Sequence, residues 1–142
     1  MVFLDLTDVK EWTGGFDPIP SGWYPLVIDD AMMKQTKDGT GEYINVTFKI
    51  FEGSYMNRRI FHMFHLVNKN KEFQVKELGK LRLFLGLAGH GPVLNMLNDL
   101  PGLKVMGQVK TESSEEYGDK NVVKAFKEYK ADPNADNLPN FG

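Results

Sequence analysis

The chain has no cysteine. That absence excludes a disulfide framework, a zinc-ribbon site and a thiol nucleophile together, and it points to a reducing, cytoplasmic setting. Long apolar runs are also missing: no stretch approaches the roughly 20 residues of a membrane span. The opening MVFLDLTDVKEW carries acids where a secretory signal would carry a basic flank. No internal repeat and no long low-complexity segment occurs. A net excess of positive charge is absent as well. The 17 Lys+Arg against 19 Asp+Glu leave -2, which taken alone argues against nucleic-acid binding.

What is present fits one soluble domain. The 142 residues are enough to bury close to two thirds of the unfolded surface without staples. Charge is unevenly spread along them. Residues 1–30 hold one Lys against six Asp+Glu, a net of -5. Residues 31–82 hold ten Lys+Arg against five Asp+Glu, a net of +5. Residues 83–130 balance at six against six, and residues 131–142 add only Asp132 and Asp136. The central third is therefore basic between an acidic front and an acidic tail.

Pattern divides the chain into 1–130, a domain that opens with an irregular extension over 1–21, and 131–142, an aperiodic tail expected to be disordered. Trp23–Ile28 is aromatic and β-branched, a first strand. Thr36–Gly41 with its Asp38-Gly39 core is a turn. From Tyr43 to Phe51 the residues alternate: Ile44, Val46, Phe48 and Ile50 take one face, and Tyr43, Asn45, Thr47, Lys49 and Phe51 the other. A turn at Gly53, Ser54 and Asn57 leads to a third strand, Arg59–Val67. Asn70 is a helix N-cap, Leu78, Leu81, Phe84, Leu85 and Ala88 follow at helical spacing, and Gly89, Gly91 and Pro92 stop the helix. A short apolar turn at Val93–Leu97, a strand at Leu103–Val109, a polar loop at Ser113–Lys120 and a strand at Asn121–Tyr129 complete the domain.

Three strands, a helix and two strands are the order of an OB-fold, a mainly β, five-stranded Greek-key barrel with its helix between strands 3 and 4. Oligonucleotides bind such barrels on strands 2 and 3 and on the first-second and fourth-fifth loops. Fold alone does not assign function.

Catalytic signatures are sparse. His62 and His65 form the one histidine cluster, but on a strand three-residue spacing sends them to opposite faces. Gly79-Lys80-Leu81 sits inside the helix and lacks the glycine-rich loop and hydroxyl of a phosphate-binding loop. There is no nucleophile elbow. The expectation is a non-enzymatic protein with no cofactor and no metal.

The basic third offers binding instead. Lys34 and Lys37 flank the first hairpin loop, Lys49 shares a face with Tyr43, Asn45 and Phe51, and Arg58 and Arg59 enter the third strand. Tyr55, Phe61 and Phe64 add further rings. Single-stranded nucleic acid needs this pairing of cations for phosphates and rings for unpaired bases, each stack contributing roughly 1–3 kcal/mol. On the third strand Ile60, His62, Phe64 and Leu66 make the more apolar face, so Phe61 and His65 are expected on the ligand face, a choice a one-residue slip would reverse. In the fourth-fifth loop, Tyr117 and Lys120 suit a binding loop while Glu112, Glu115, Glu116 and Asp119 oppose phosphate. The DNA-binding set is thus Lys34, Lys37, Tyr43, Asn45, Lys49, Phe51, Arg58, Arg59, Phe61, His65 and Lys120. The same aromatic face would equally serve a protein partner or a second subunit in an interaction module.

The runs MVFLDLTDVKEW, GFDPIPSGWY, KDGTGEYINVTFKIFEGSYMNRRIF and FHLVNKN resemble a phage and prophage family catalogued as a domain of unknown function. Its members sit with replication and recombination functions and are taken to bind single-stranded DNA. The resemblance implies an OB-fold, sequence-independent binding and a location in the host cytoplasm. It transfers no residue set. The tail, with Asp132, Asp136 and Phe141, is the expected docking point for replication or recombination proteins.

Overall fold

The computed structural model describes residues 1–9, 18–115 and 118–130. Five antiparallel strands form one sheet: β1 (Gly22–Gln35), β2 (Glu42–Ile50), β3 (Arg59–Val67), β4 (Lys104–Ser114) and β5 (Gly118–Lys127). Among the described residues one α-helix, α1 (Lys71–Leu87), lies between β3 and β4, followed by a single 3-10 turn at Leu97–Asp99. The described part of the front, 1–9 and 18–21, contains neither helix nor strand.

Alternation in β2 sets the sheet's two faces. Ile44, Val46, Phe48 and Ile50 are buried, and Tyr43, Asn45, Thr47 and Lys49 are not. β3 pairs with β2 so that Ile60 and Phe64 join the buried side opposite Phe48 and Ile44. β1 adds Leu26 and Ile28, β4 adds Val105 and Val109, and β5 adds Val123. Gly107 of β4 has no room for a side chain, because a Cβ there would collide with the Leu26 side chain.

The helix forms as its sequence dictates. Asn70 caps it, its side-chain oxygen accepting from the Phe73 N–H at 3.2 Å. Leu81, Phe84 and Leu85 bury one side, and Gly89 leaves the helix with a positive φ of 78°. Phe84 enters an aromatic cluster with Phe48, Phe64 and Phe126 at ring separations of 5.9, 5.4 and 5.2 Å.

The strand order is β3-β2-β1-β4-β5. The expected barrel is therefore not closed: β3 and β5 remain edges and share no hydrogen-bonded ladder. Side chains fill the seam between them. His62 on β3 meets Phe126 on β5 at 5.4 Å, Phe64 meets Phe126 at 6.1 Å, and α1 packs against both strands. These ring contacts, in place of a hydrogen-bonded ladder, join the two edges.

Several boundaries differ from expectation, β5 among them, which ends at Lys127 and not at Tyr129. β1 does not stop at Ile28 but runs to Gln35, because its register with β2 resumes after a bulge at Asp29. The polar fourth-fifth loop is shorter, since Ser113 and Ser114 pair with Asp119 and Gly118. The short apolar turn lies at Leu97–Asp99 and not at Val93–Leu97. Tyr117 and the whole 131–142 tail, including Asp132, Asp136 and Phe141, fall outside the described residues.

His62 gives this core a pH dependence. Burial among Phe48, Phe64 and Phe126 pushes its pKa down to about 4, against a smaller upward pull from Glu77 and small downward pushes from Lys80 and His65. The folded chain favours neutral imidazole, so between pH 6.5 and about 4 the unfolded state binds a proton that the folded state does not. Stability from this group is complete above pH 6.5 and declines as pH falls to 4, by at most about 3 kcal/mol at 1.36 kcal/mol per unit. Urea midpoints measured across that range should fall more steeply for the natural chain than for His62→Phe; parallel curves would refute a neutral buried His62.

Candidate nucleic-acid interface

The outer face of the sheet is built by the residues that β2 and its neighbours do not bury. Register aligns it in rows across β1, β2 and β3. Lys34, Tyr43 and His65 make the first, Met32, Asn45 and Met63 the second, Asp30, Thr47 and Phe61 the third, and Val27, Lys49 and Arg59 the fourth. Tyr43 to Lys49 spans six residue steps, about 20 Å of extended chain.

Phe61 stands in the third row on the edge strand β3, 64% exposed, with Met63 (46%) two residues along the same strand and Met32 (51%) across the Met63 row on β1. An aromatic ring so exposed in a paired strand contributes little to the core, and its neighbours make a patch rather than a lone residue. At one end the Tyr43 and His65 rings lie 5.4 Å apart, and Phe73 from the first turn of α1 extends the row, 5.2 Å from His65. His65 Nδ1 is buried there with no hydrogen-bond partner.

At the other end the charges are arranged around one carboxylate. The bulge at Asp29 turns that side chain toward β2 and β3, where Oδ1 lies 3.9 Å from Lys49 Nζ and Oδ2 accepts from Arg59 Nε at 3.2 Å. Two of the cations expected to bind phosphate, Lys49 and Arg59, thus share an acidic partner. Beyond them Phe51 packs on Tyr129 at 5.0 Å, with the Lys104 ammonium 5.0 Å from its ring. Lys127 sits 4.4 Å from the Trp23 ring on the same side of β1 and β4.

Of the residues picked from sequence, Lys34, Tyr43, Asn45, Lys49, Arg59, Phe61 and His65 share the outer face, and Phe51 continues it. Three others lie off it. Lys37 is in the β1–β2 turn, Arg58 in the tight approach to β3, where its carbonyl accepts from Ile50 N–H at 2.9 Å, and Lys120 on the β4–β5 hairpin opposite Glu112. The Lys37 turn is itself held by Asp38. Its carboxyl lies well below the usual carboxylate range because it accepts from the Thr40 N–H and from the Thr36 and Thr40 hydroxyls. Phe64, one of the interleaved rings, is core. Tyr55 packs edge-on against Tyr24 at 6.0 Å.

Residues missed from sequence are Trp23, Asp29, Met32, Met63, Phe73, Lys104, Lys127 and Tyr129. For Lys104 the signal was available: it alternates with buried Val105 as Lys49 does with Ile50. For Asp29 none was, because the bulge that aims it depends on the β1–β2 register.

Among the described residues no group of three or more His, Asp or Glu could hold a metal ion, and no helix is long and apolar enough to cross a membrane. The chain matches, over residues 4–136, a protein family described as of unknown function, DUF669. No curated protein sequence matches it.

The Asp29 pairs are solvent-exposed, so their contribution to folding is small. Asp29→Asn should change the unfolding free energy by less than about 1 kcal/mol in urea titration. A loss several times larger would make the cluster structural instead of part of a binding surface.

Proposed function

The chain belongs to the DUF669 family, whose description assigns no activity, and we propose that it is a bacteriophage protein that coats single-stranded DNA without sequence preference during replication or recombination. The observation that carries this reading is the exposed Phe61 face, with rings along it and cations at its ends. The strand order, with a helix between the third and fourth strands, fits a partly open OB-fold, whose ligands lie on the β2–β3 side. The phage setting rests on the sequence resemblance described above.

In this mechanism Tyr43, Phe61 and, at the far end, Phe51 offer flat surfaces for bases, and Met32 and Met63 add apolar surface in the row next to Phe61. Lys34, Lys49, Arg59 and Lys104 take phosphates. Asp29 holds Lys49 and Arg59 in place while the face is empty, and an arriving phosphate replaces its carboxylate. Asn45 is placed for hydrogen bonds that do not read a fixed sequence, and the His65 ring packs beside Tyr43. No step needs catalysis or a cofactor.

Oligo-dT titrated into the protein should quench Trp or Tyr fluorescence. Affinity should fall linearly on a log–log salt plot, with a slope of about -0.7 for each phosphate neutralised. Phe61→Ala should cost about 1–3 kcal/mol of binding, the value of one stacked base. Lys49→Glu with Arg59→Glu should weaken binding far more than Lys130→Glu, and Asp29→Asn should tighten it. No binding at low salt would sink the proposal, leaving the apolar Met32–Phe61–Met63 patch to a protein partner. Equal effects of the double variant and Lys130→Glu would move the site elsewhere.

A further inference from the structure

A second surface lies on the far side of the sheet. α1 buries Leu81, Phe84 and Leu85, while Val75 and Leu83 stand away from the core at 69% and 58% exposure. Gly79 and Gly86 fall on the same side, four and eleven residues after Val75. Both are exposed, and a Cβ at either would meet nothing within 4 Å. The fold of the chain therefore does not require glycine at these positions, although each costs the helix about 1 kcal/mol relative to alanine. Their effect is to leave a low apolar track between Val75 and Leu83. Lys71, Lys76 and Arg82 border it, with Glu72 the one acid alongside.

A matching segment is present at the other end of the sequence. In residues 1–9, Val2, Phe3, Leu4, Leu6 and Val9 are between 58% and 100% exposed, and none of them joins the core of the described residues. The segment has the beginnings of a helical turn. The Asp5 carboxylate accepts from the Thr7 N–H at 3.0 Å, and the Val9 N–H donates to the Leu6 carbonyl at 3.0 Å. Val2, Leu6 and Val9 then fall on one stripe with Phe3 beside it. Asp5 and Asp8 carry charge opposite to that of the three bordering cations.

We propose that residues 1–9 of one copy dock, as an added helical turn, on the Val75–Gly86 face of α1 in a second copy. Leu6 and Phe3 pack on the glycine-lowered track, and Asp5 and Asp8 pair with Lys71, Lys76 or Arg82. The contact joins two different surfaces, so it is head-to-tail and can add copies in a row. It leaves the outer face of the sheet free and does not depend on what that face binds.

Sedimentation velocity of the full chain without oligonucleotide tests this. The average mass should rise with concentration to at least twice that of the monomer. Phe3→Asp with Leu6→Asp should abolish the rise. Gly79→Gln should abolish it too while leaving the melting temperature unchanged or higher, which separates loss of docking from loss of fold. A chain that stays monomeric at every concentration would overturn the proposal, as would association that survives both variants. Association lost in Phe61→Ser but kept in Gly79→Gln would place the interface on the sheet and overturn it equally.

Discussion

Phe48 is the side chain on which the arrangement turns. It is wholly buried in the middle of β2 and touches rings from three other elements: His62 of β3, Phe84 of α1 and Phe126 of β5. Because side chains of a strand alternate, fixing Phe48 inward commits Thr47 and Lys49 outward, and through the ladder it commits Phe61 and Arg59 as well. The proposed DNA surface is thus the complement of the aromatic core. A one-residue slip of β2 would bury Lys49 and expose Phe48, a cost that no surface contact could offset. The same cluster occupies the seam between β3 and β5, so the feature that defines the face also joins the two open edges.

Much of this was legible in the amino-acid order, for identifiable reasons. β2 alternates without interruption over eight residues, and nothing in it competes with that period. β3 carries His62 and His65, which blur the contrast, yet Ile60 and Phe64 are enough to set its parity. The Asn70 cap and the Gly89 stop act locally, so the helix ends could be read locally. The parts that could not be read depend on contacts distant in sequence. Met32, Met33 and Lys34 have no strand signature, and they extend β1 only because β2 pairs with them. Asp29 looks like an ordinary loop acid, and it reaches Lys49 and Arg59 only through the bulge. Whether five strands close on themselves depends on how Phe64, Phe84 and Phe126 fill the seam, which strand order does not specify.

Charge shows the same division. A net of -2 does not describe the surface that matters. The basic central third is partly neutralised where its cations converge, since Asp29 and Asp30 sit on the outer face with Lys49 and Arg59. Under the proposed function, that arrangement would give modest, salt-sensitive binding in which a phosphate displaces a carboxylate, with little attraction to duplex DNA at a distance. Lys104 and Lys127, held against Phe51 and Trp23, enlarge the cationic border beyond the segment that sequence bookkeeping marked as basic.

The central claim is that the outer face of β1–β3 is the DNA surface, and residue-resolved NMR during an oligo-dT titration tests it most directly. Shift changes should concentrate on the Met32 and Met63 methyls, the Tyr43 and Phe61 rings, and the Lys49 and Arg59 side chains, with Val75 and Leu83 of α1 unmoved. Changes centred on α1 or on the β4–β5 hairpin, with the Phe61 region silent, would contradict the account.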